Sequence, residues 1–82
     1  MKCTVEITAY PLQDSYINII DDFIKHLHSY QNLLIETVPT ATIVYGEYDD
    51  VMACVKDAIA WSSENQGKAV FITKILPGYG PQ

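Results

Sequence analysis

The stretch from Val38 to Val51, Val-Pro-Thr-Ala-Thr-Ile-Val-Tyr-Gly-Glu-Tyr-Asp-Asp-Val, constrains this chain most. It reads as a turn, a strand of alternating small and large side chains, a glycine break, and two aspartates where a helix is due. One strand-helix-strand unit precedes it, and one helix and a last strand follow. The chain is thus two halves that meet here. At 82 residues it is long enough for one core only, and a domain of this size buries roughly 60% of its unfolded surface. Association with further copies is a natural source of extra stability.

Residues 3 to 10 alternate strictly, with Cys3, Val5, Ile7 and Ala9 on one side and Thr4, Glu6, Thr8 and Tyr10 on the other. Pro11 lacks a backbone donor and ends this half-buried strand. From Asp14 or Ser15, both good caps, the period becomes helical. Tyr16, Ile20, Phe23, Ile24, Leu27 and Tyr30 form the inner stripe, with Asp21, Asp22, Lys25 and His26 outside, which predicts a helix to about Tyr30 or Gln31. A second strand spans Leu33 to Val38. Pro39-Thr40-Ala41 is short enough for a hairpin into a third strand over Thr42 to Tyr45, which Gly46 ends. A second helix starts at Asp49 or Asp50, turns Val51, Met52, Val55, Ala58, Ile59 and Ser62 inward, and stops at Asn65-Gln66-Gly67. Ala69 to Ile75 is the fourth strand. A domain over residues 1–76 and a turn-rich tail over residues 77–82 complete the division.

The order βαββαβ in so small a chain is most simply an α+β, ferredoxin-like sandwich. That fold is an antiparallel four-stranded sheet with both helices on one face and strand order 4-1-3-2. In it the end of the first strand lies beside the start of the third. Ala9 and Tyr10 then approach Thr42, with Pro11, Ser15, Tyr16, Val38 and Thr40 bordering the same corner. Ala9 leaves space there, and Thr42 together with the unpaired N–H groups of a helix start supplies hydrogen-bonding groups. The uncovered face of the sheet is expected to carry Glu6, Thr8, Ile43, Tyr45, Phe71, Thr73 and Ile75. That is too apolar for solvent, and a second subunit is expected to pack on it, sheet against sheet.

Charge narrows the partners. Ten acidic residues stand against five lysines, and there is no arginine. A nucleic-acid partner calls for a basic stripe, and bidentate phosphate recognition calls for arginine. Strand aromatics Tyr10 and Tyr45 could stack bases, but Glu6 and Glu47 sit among them. Cys3 and Cys54 read as small apolar core residues, and no segment is long and apolar enough to insert in a membrane. A cytoplasmic location is expected.

Several pieces together resemble the thiamine-binding YkoF-like family of small ferredoxin-like proteins. They are Ile7-Thr8-Ala9-Tyr10-Pro11-Leu12, the helix opening Asp14-Ser15-Tyr16-Ile17, and Thr42-Ile43-Val44-Tyr45-Gly46 followed by Asp49-Asp50-Val51. The resemblance extends over nearly the whole chain. It implies binding of thiamine or its hydroxymethylpyrimidine part, and assembly through the open sheet faces. Matched motif to motif, the family's ligand-contacting positions fall on Ala9 and Thr42.

On that reading Thr42 hydrogen-bonds the pyrimidine, backbone groups at Ala9 complete the contact, and Tyr10 or Tyr16 stacks on a ring. Ser15 and Thr40 border the ligand. The plainer alternative makes Thr42 an ordinary strand threonine and Tyr16 a packing aromatic. Glu6, in the middle of a central strand, reads best as an interface residue. His26 and His28, two apart on a helix, diverge by about 200° and cannot share a metal; both read as solvated. Asp49 and Asp50 read as caps. No nucleophile has a base at recognisable spacing, and there is no glycine-rich phosphate loop, so neither catalysis nor a cofactor or metal is expected. The expected function is non-catalytic binding of thiamine or hydroxymethylpyrimidine by a homo-oligomer, in salvage, delivery or sensing. The alternative is a structural or regulatory interaction module without a ligand. An apolar side chain closing the space over Ala9 would favour that second reading.

Overall fold

A computed structural model describes residues 1–80. The elements are β1 (Lys2–Pro11), α1 (Tyr16–Leu27), β2 (Leu34–Val38), β3 (Ala41–Glu47), α2 (Tyr48–Asn65) and β4 (Ala69–Pro77). They form one antiparallel four-stranded sheet in the order β2-β3-β1-β4, the ferredoxin-like α+β arrangement that the element order implies. Among the described residues no helix is long and apolar enough to cross a membrane. Of the tail, Pro77 closes β4, Gly78 donates its N–H to the Lys2 carbonyl, and the Tyr79 carbonyl accepts from Thr4. Pro81 and Gln82 lie outside the described residues.

The core lies between the sheet and the helices. Cys3, Val5 and Ile7 of β1 and Val44 of β3 meet Phe23 and Leu27 of α1 and Val51, Cys54, Val55 and Ala58 of α2. Period-two burial in β1 and helical-period burial in α2 produce one shared apolar layer. Both cysteines are free and buried. Burial, with Asp57 adding to it, pushes the Cys54 thiol up to about 11, which keeps it protonated and unreactive.

Several expectations are corrected. Helix α1 ends at Leu27 rather than at Tyr30 or Gln31, because the Ser29 hydroxyl takes the His26 carbonyl at 2.6 Å and the chain reverses through Asn32 at φ 66°. Gly46 does not end β3; it pairs with Cys3 inside the strand. Its glycine serves close approach, since a Cβ there would stand 2.6 Å from Leu33 Cδ2. Helix α2 starts at Tyr48, so Asp49 and Asp50 are first-turn charges that suit the helix dipole and do not cap. Glu47 occupies the cap position without a side-chain cap bond, because Lys2 Nζ at 3.0 Å and the amino terminus engage its carboxylate. Those hydrogen bonds hold the Glu47 carboxyl below its usual range.

The phase of β4 is also corrected. Ala9 pairs with Phe71, Ile7 with Thr73 and Val5 with Ile75, so these three residues of β4 share the helix side with β1's core residues. The outer face of β4 carries Val70, Ile72, Lys74 and Leu76 instead. His26 is half-buried rather than fully solvated. It stacks on Trp61 of α2 with ring centroids 4.0 Å apart and planes 5° apart, and meets Tyr30 edge-on.

The end of α2 is tied to the start of α1 by a polar link. Buried Ser62 donates to Gln66 Oε1 at 2.8 Å, and Gln66 Nε2 donates to the Ile19 carbonyl of α1 at 2.9 Å. Gly67 follows at φ 99°, the left-handed conformation that lets the chain leave α2 and enter β4. Ser62→Ala removes the donor and leaves a partly buried amide oxygen unmet. It is expected to cost about 1 kcal/mol, a fall of roughly 4–8 °C in melting temperature by calorimetry.

Candidate functional site

The site follows from unequal strand pairing. β3 accompanies β1 from Lys2↔Glu47 to Ile7↔Thr42, and then turns back through Pro39 and Thr40. On its other flank β1 stays paired with β4 as far as Pro11↔Ala69. From Thr8 to Pro11, therefore, one flank of a central strand has lost its neighbour. In an antiparallel ladder every second residue aims its N–H and C=O at the same flank, so backbone groups here face an open space. Thr8 Oγ1 donates to the Thr40 carbonyl at 3.0 Å and fixes the turn against the strand.

The open space is a cavity of about 400 Å³ between the end of β1, the stretch of α1 from Tyr16 to Ile24 and the β2–β3 turn. Ala9 and Ile7 form its floor, Tyr16, Ile20, Phe23 and Ile24 its helical wall, and Val38 to Ala41 its far side. Phe23 is braced by Phe71, with ring centroids 5.2 Å apart. No charged side chain lines it; its polar groups are threonine hydroxyls, tyrosine phenols and backbone. That combination suits a small planar heteroaromatic molecule, with apolar walls for the ring faces and a strand edge for its hydrogen-bonding edge.

Of the residues expected at this corner, Ala9, Tyr10, Pro11, Tyr16, Val38 and Thr40 line the cavity. Tyr16 is not a core residue of the inner stripe. It is 52% exposed, and its place in the cavity wall puts it at the mouth. Ser15 stands at the α1 cap position without a side-chain cap bond and does not line the cavity. Thr42 is 4% exposed on the helix side of β3, opposite Ile7 and Thr37, and does not line the cavity, which its neighbour Ala41 does. The wall residues Ile20, Phe23, Ile24 and Pro39 are not among the expected site residues. Their helical or turn pattern signals packing, and only the place where β3 leaves β1 shows which part of that packing stays open. Space over Ala9 is thus retained, with no side chain closing it. Among the described residues no group of three or more His, Cys, Asp or Glu side chains could hold a metal.

No family model matches the sequence. No curated protein matches it either. Solved structures do. A Streptococcus pneumoniae protein is 25% identical over 96% of this chain and 89% of its own, with a TM-score of 0.86. A hypothetical protein from Methanocaldococcus jannascii, 22% identical over 99% of this chain and 84% of its own, has a TM-score of 0.79 and attests the fold alone. A Thermotoga maritima protein provisionally ascribed to thiamine biosynthesis or salvage is 25% identical over all of this chain and 90% of its own, with a TM-score of 0.84.

Proposed function

We propose that this protein binds thiamine or its hydroxymethylpyrimidine part without transforming it, as a cytoplasmic homo-oligomer serving salvage, delivery or sensing. The observation that carries the reading is the uncharged cavity built on the unpaired flank of β1 and open over Ala9. An interaction module whose corner is merely packed would lack such a space, because packing normally closes it. The likeness to the Thermotoga maritima protein and the motifs shared with the thiamine-binding family supply the ligand class. An aminopyrimidine fits the chemistry, with donors and acceptors along one edge for the strand and a flat face for Tyr16 or Phe23.

Self-association is supported by surface. The chain exposes 5359 Å², whereas a monomer of 9.2 kDa typically exposes about 4,900 Å². On the outer face of the sheet Leu34, Ile72 and Leu76 are about half exposed or more, beside Ile43 and Tyr45. We assign this face to contact with a second copy.

Calorimetric titration with thiamine and, separately, hydroxymethylpyrimidine tests the reading. Saturable micromolar binding near one ligand per chain is expected; no heat with either, from folded protein, moves the assignment to the interaction module. Tyr16→Ala removes a stacking face from a half-exposed position. It is expected to weaken pyrimidine binding by about 1 kcal/mol, roughly fivefold, with an unchanged melting temperature. Unchanged affinity would remove Tyr16 from the site.

A further inference from the structure

We infer that β4 is a pairing edge for a second copy of this chain, whose own β4 lies antiparallel beside it about a two-fold axis through Thr73 and so continues the sheet. The two edges of the sheet differ. β2 is only five residues long with Glu36 at its centre, which is how an exposed edge is normally blunted. β4 runs for nine residues in unbroken register with β1 and meets proline only at its last position. Apart from Lys74 it has none of the usual protections. Its side chains are unfinished too: Val70, Ile72 and Leu76 on the outer face and Ile75 on the helix side are each about half exposed. A contact through the outer face leaves Ile75 uncovered, because Ile75 lies on the other side of the sheet.

The ends of the ladder show where the backbone groups of β4 point. Leu12 donates to the Lys68 carbonyl at 3.0 Å and Gly78 to the Lys2 carbonyl at 2.7 Å, so the even-numbered residues of β4 aim at β1. Ala69, Phe71, Thr73 and Ile75 therefore aim their N–H and C=O groups at the free flank. Charge and side-chain size choose the register with a second copy. Centred on Thr73, the strands overlap in full, Val70 stands opposite the partner's Leu76, and Ile75 opposite the partner's Phe71. Lys74 then lays its aliphatic stem beside the partner's Ile72. Centring on Lys74 would oppose two lysines, and centring on Ile72 would leave Ile75 opposite only the partner's Ala69. One such edge is a small contact and weak alone. It draws strength from the outer-face contact proposed above, and in this the inference rests on that reading. Two chains joined by their outer faces present two β4 edges to another such pair, so the second edge closes intramolecularly and four copies assemble.

Thr73→Cys and Ile75→Cys, oxidised in the full chain and separated on denaturing, non-reducing gels, test the register. Cys3 and Cys54 are buried, so the introduced thiol is the accessible one. A hydrogen-bonded antiparallel pair stands about 5.5 Å apart at Cα, within reach of a disulfide. Thr73→Cys is expected to run mainly as a covalent dimer, and Ile75→Cys, opposite the partner's Phe71, mainly as single chains. Thr73→Pro tests the contact itself. The N–H that proline removes points away from β1, so the chain's own ladder keeps its bonds. Light scattering is expected to show the mass falling from four copies to two. Equal crosslinking of the two cysteine variants, or a mass unchanged in Thr73→Pro, overturns the edge contact and leaves the outer-face contact and the ligand reading standing. A monomeric wild type overturns both contacts.

Discussion

Ala9→Phe is expected to abolish ligand binding while leaving the protein folded. Ala9 lies on the floor of the 400 Å³ cavity, on the helix side of β1 opposite Phe71. A benzyl group there projects into the space between β1 and α1 and occupies the volume that a pyrimidine ring would take. Overpacking costs stability where a core is already full. Here the new ring enters a void beside Phe23 and Ile20 and gains apolar contact, so the melting temperature should hold or rise. The binding loss is set by exclusion and should reach at least about a hundredfold, equivalent to about 2.8 kcal/mol. Ala9→Gly, which keeps the space, serves as the control and should bind within a few-fold of wild type. Retained affinity in Ala9→Phe, by calorimetry on protein shown to be folded, would place the ligand elsewhere on the molecule.

Much of this site could be read from the sequence because its cause is topological. The alternation from Cys3 to Ala9 fixes which side of β1 is buried, and the βαββαβ order puts the end of β1 beside the β2–β3 turn. Ala9, Tyr10, Tyr16 and Thr40 follow from those two facts. The site's helical wall does not. Ile20, Phe23 and Ile24 belong to the same apolar stripe as Leu27, and a stripe does not reveal which of its members meets a floor and which meets a void. The phase of β4 departs from the expectation for a related reason. Val70 to Leu76 has apolar residues in both phases of a two-residue period, so only the register with β1 decides which set faces the helices. His26 on Trp61 joins residues from different helices, and no local spacing encodes such a pair. Where one strand's alternation or one chain reversal is the cause, sequence suffices; where two separated faces must meet, it does not.

Ile43→Asp is expected to convert the oligomer into monomers, and the register of the sheet gives the reason. Ile43 pairs with Glu6 on β1 and with Glu36 on β2, so all three side chains lie in one row across the outer face. Glu6 in turn pairs with Lys74 on β4. In wild type Ile43 is the apolar member that separates the two carboxylates. Aspartate makes three acidic side chains in a row with one lysine to offset them, and like charges directly opposite across strands repel. In the free chain that repulsion is screened by water and costs little, because the row is solvated. In the assembly the same row is covered by a second copy, and an unpaired buried carboxylate there costs about 3–5 kcal/mol, a factor of several hundred or more in the dissociation constant. Light scattering should therefore report half the wild-type mass or less. The thermal transition, concentration-dependent in wild type, should become concentration-independent. Pyrimidine binding should survive in the monomer, since every residue lining the first cavity belongs to one chain and Ile43 is not among them. An unchanged mass would move the interface to another face, and a wild-type protein that is already monomeric would show that the sheet's apolar outer face faces water in solution.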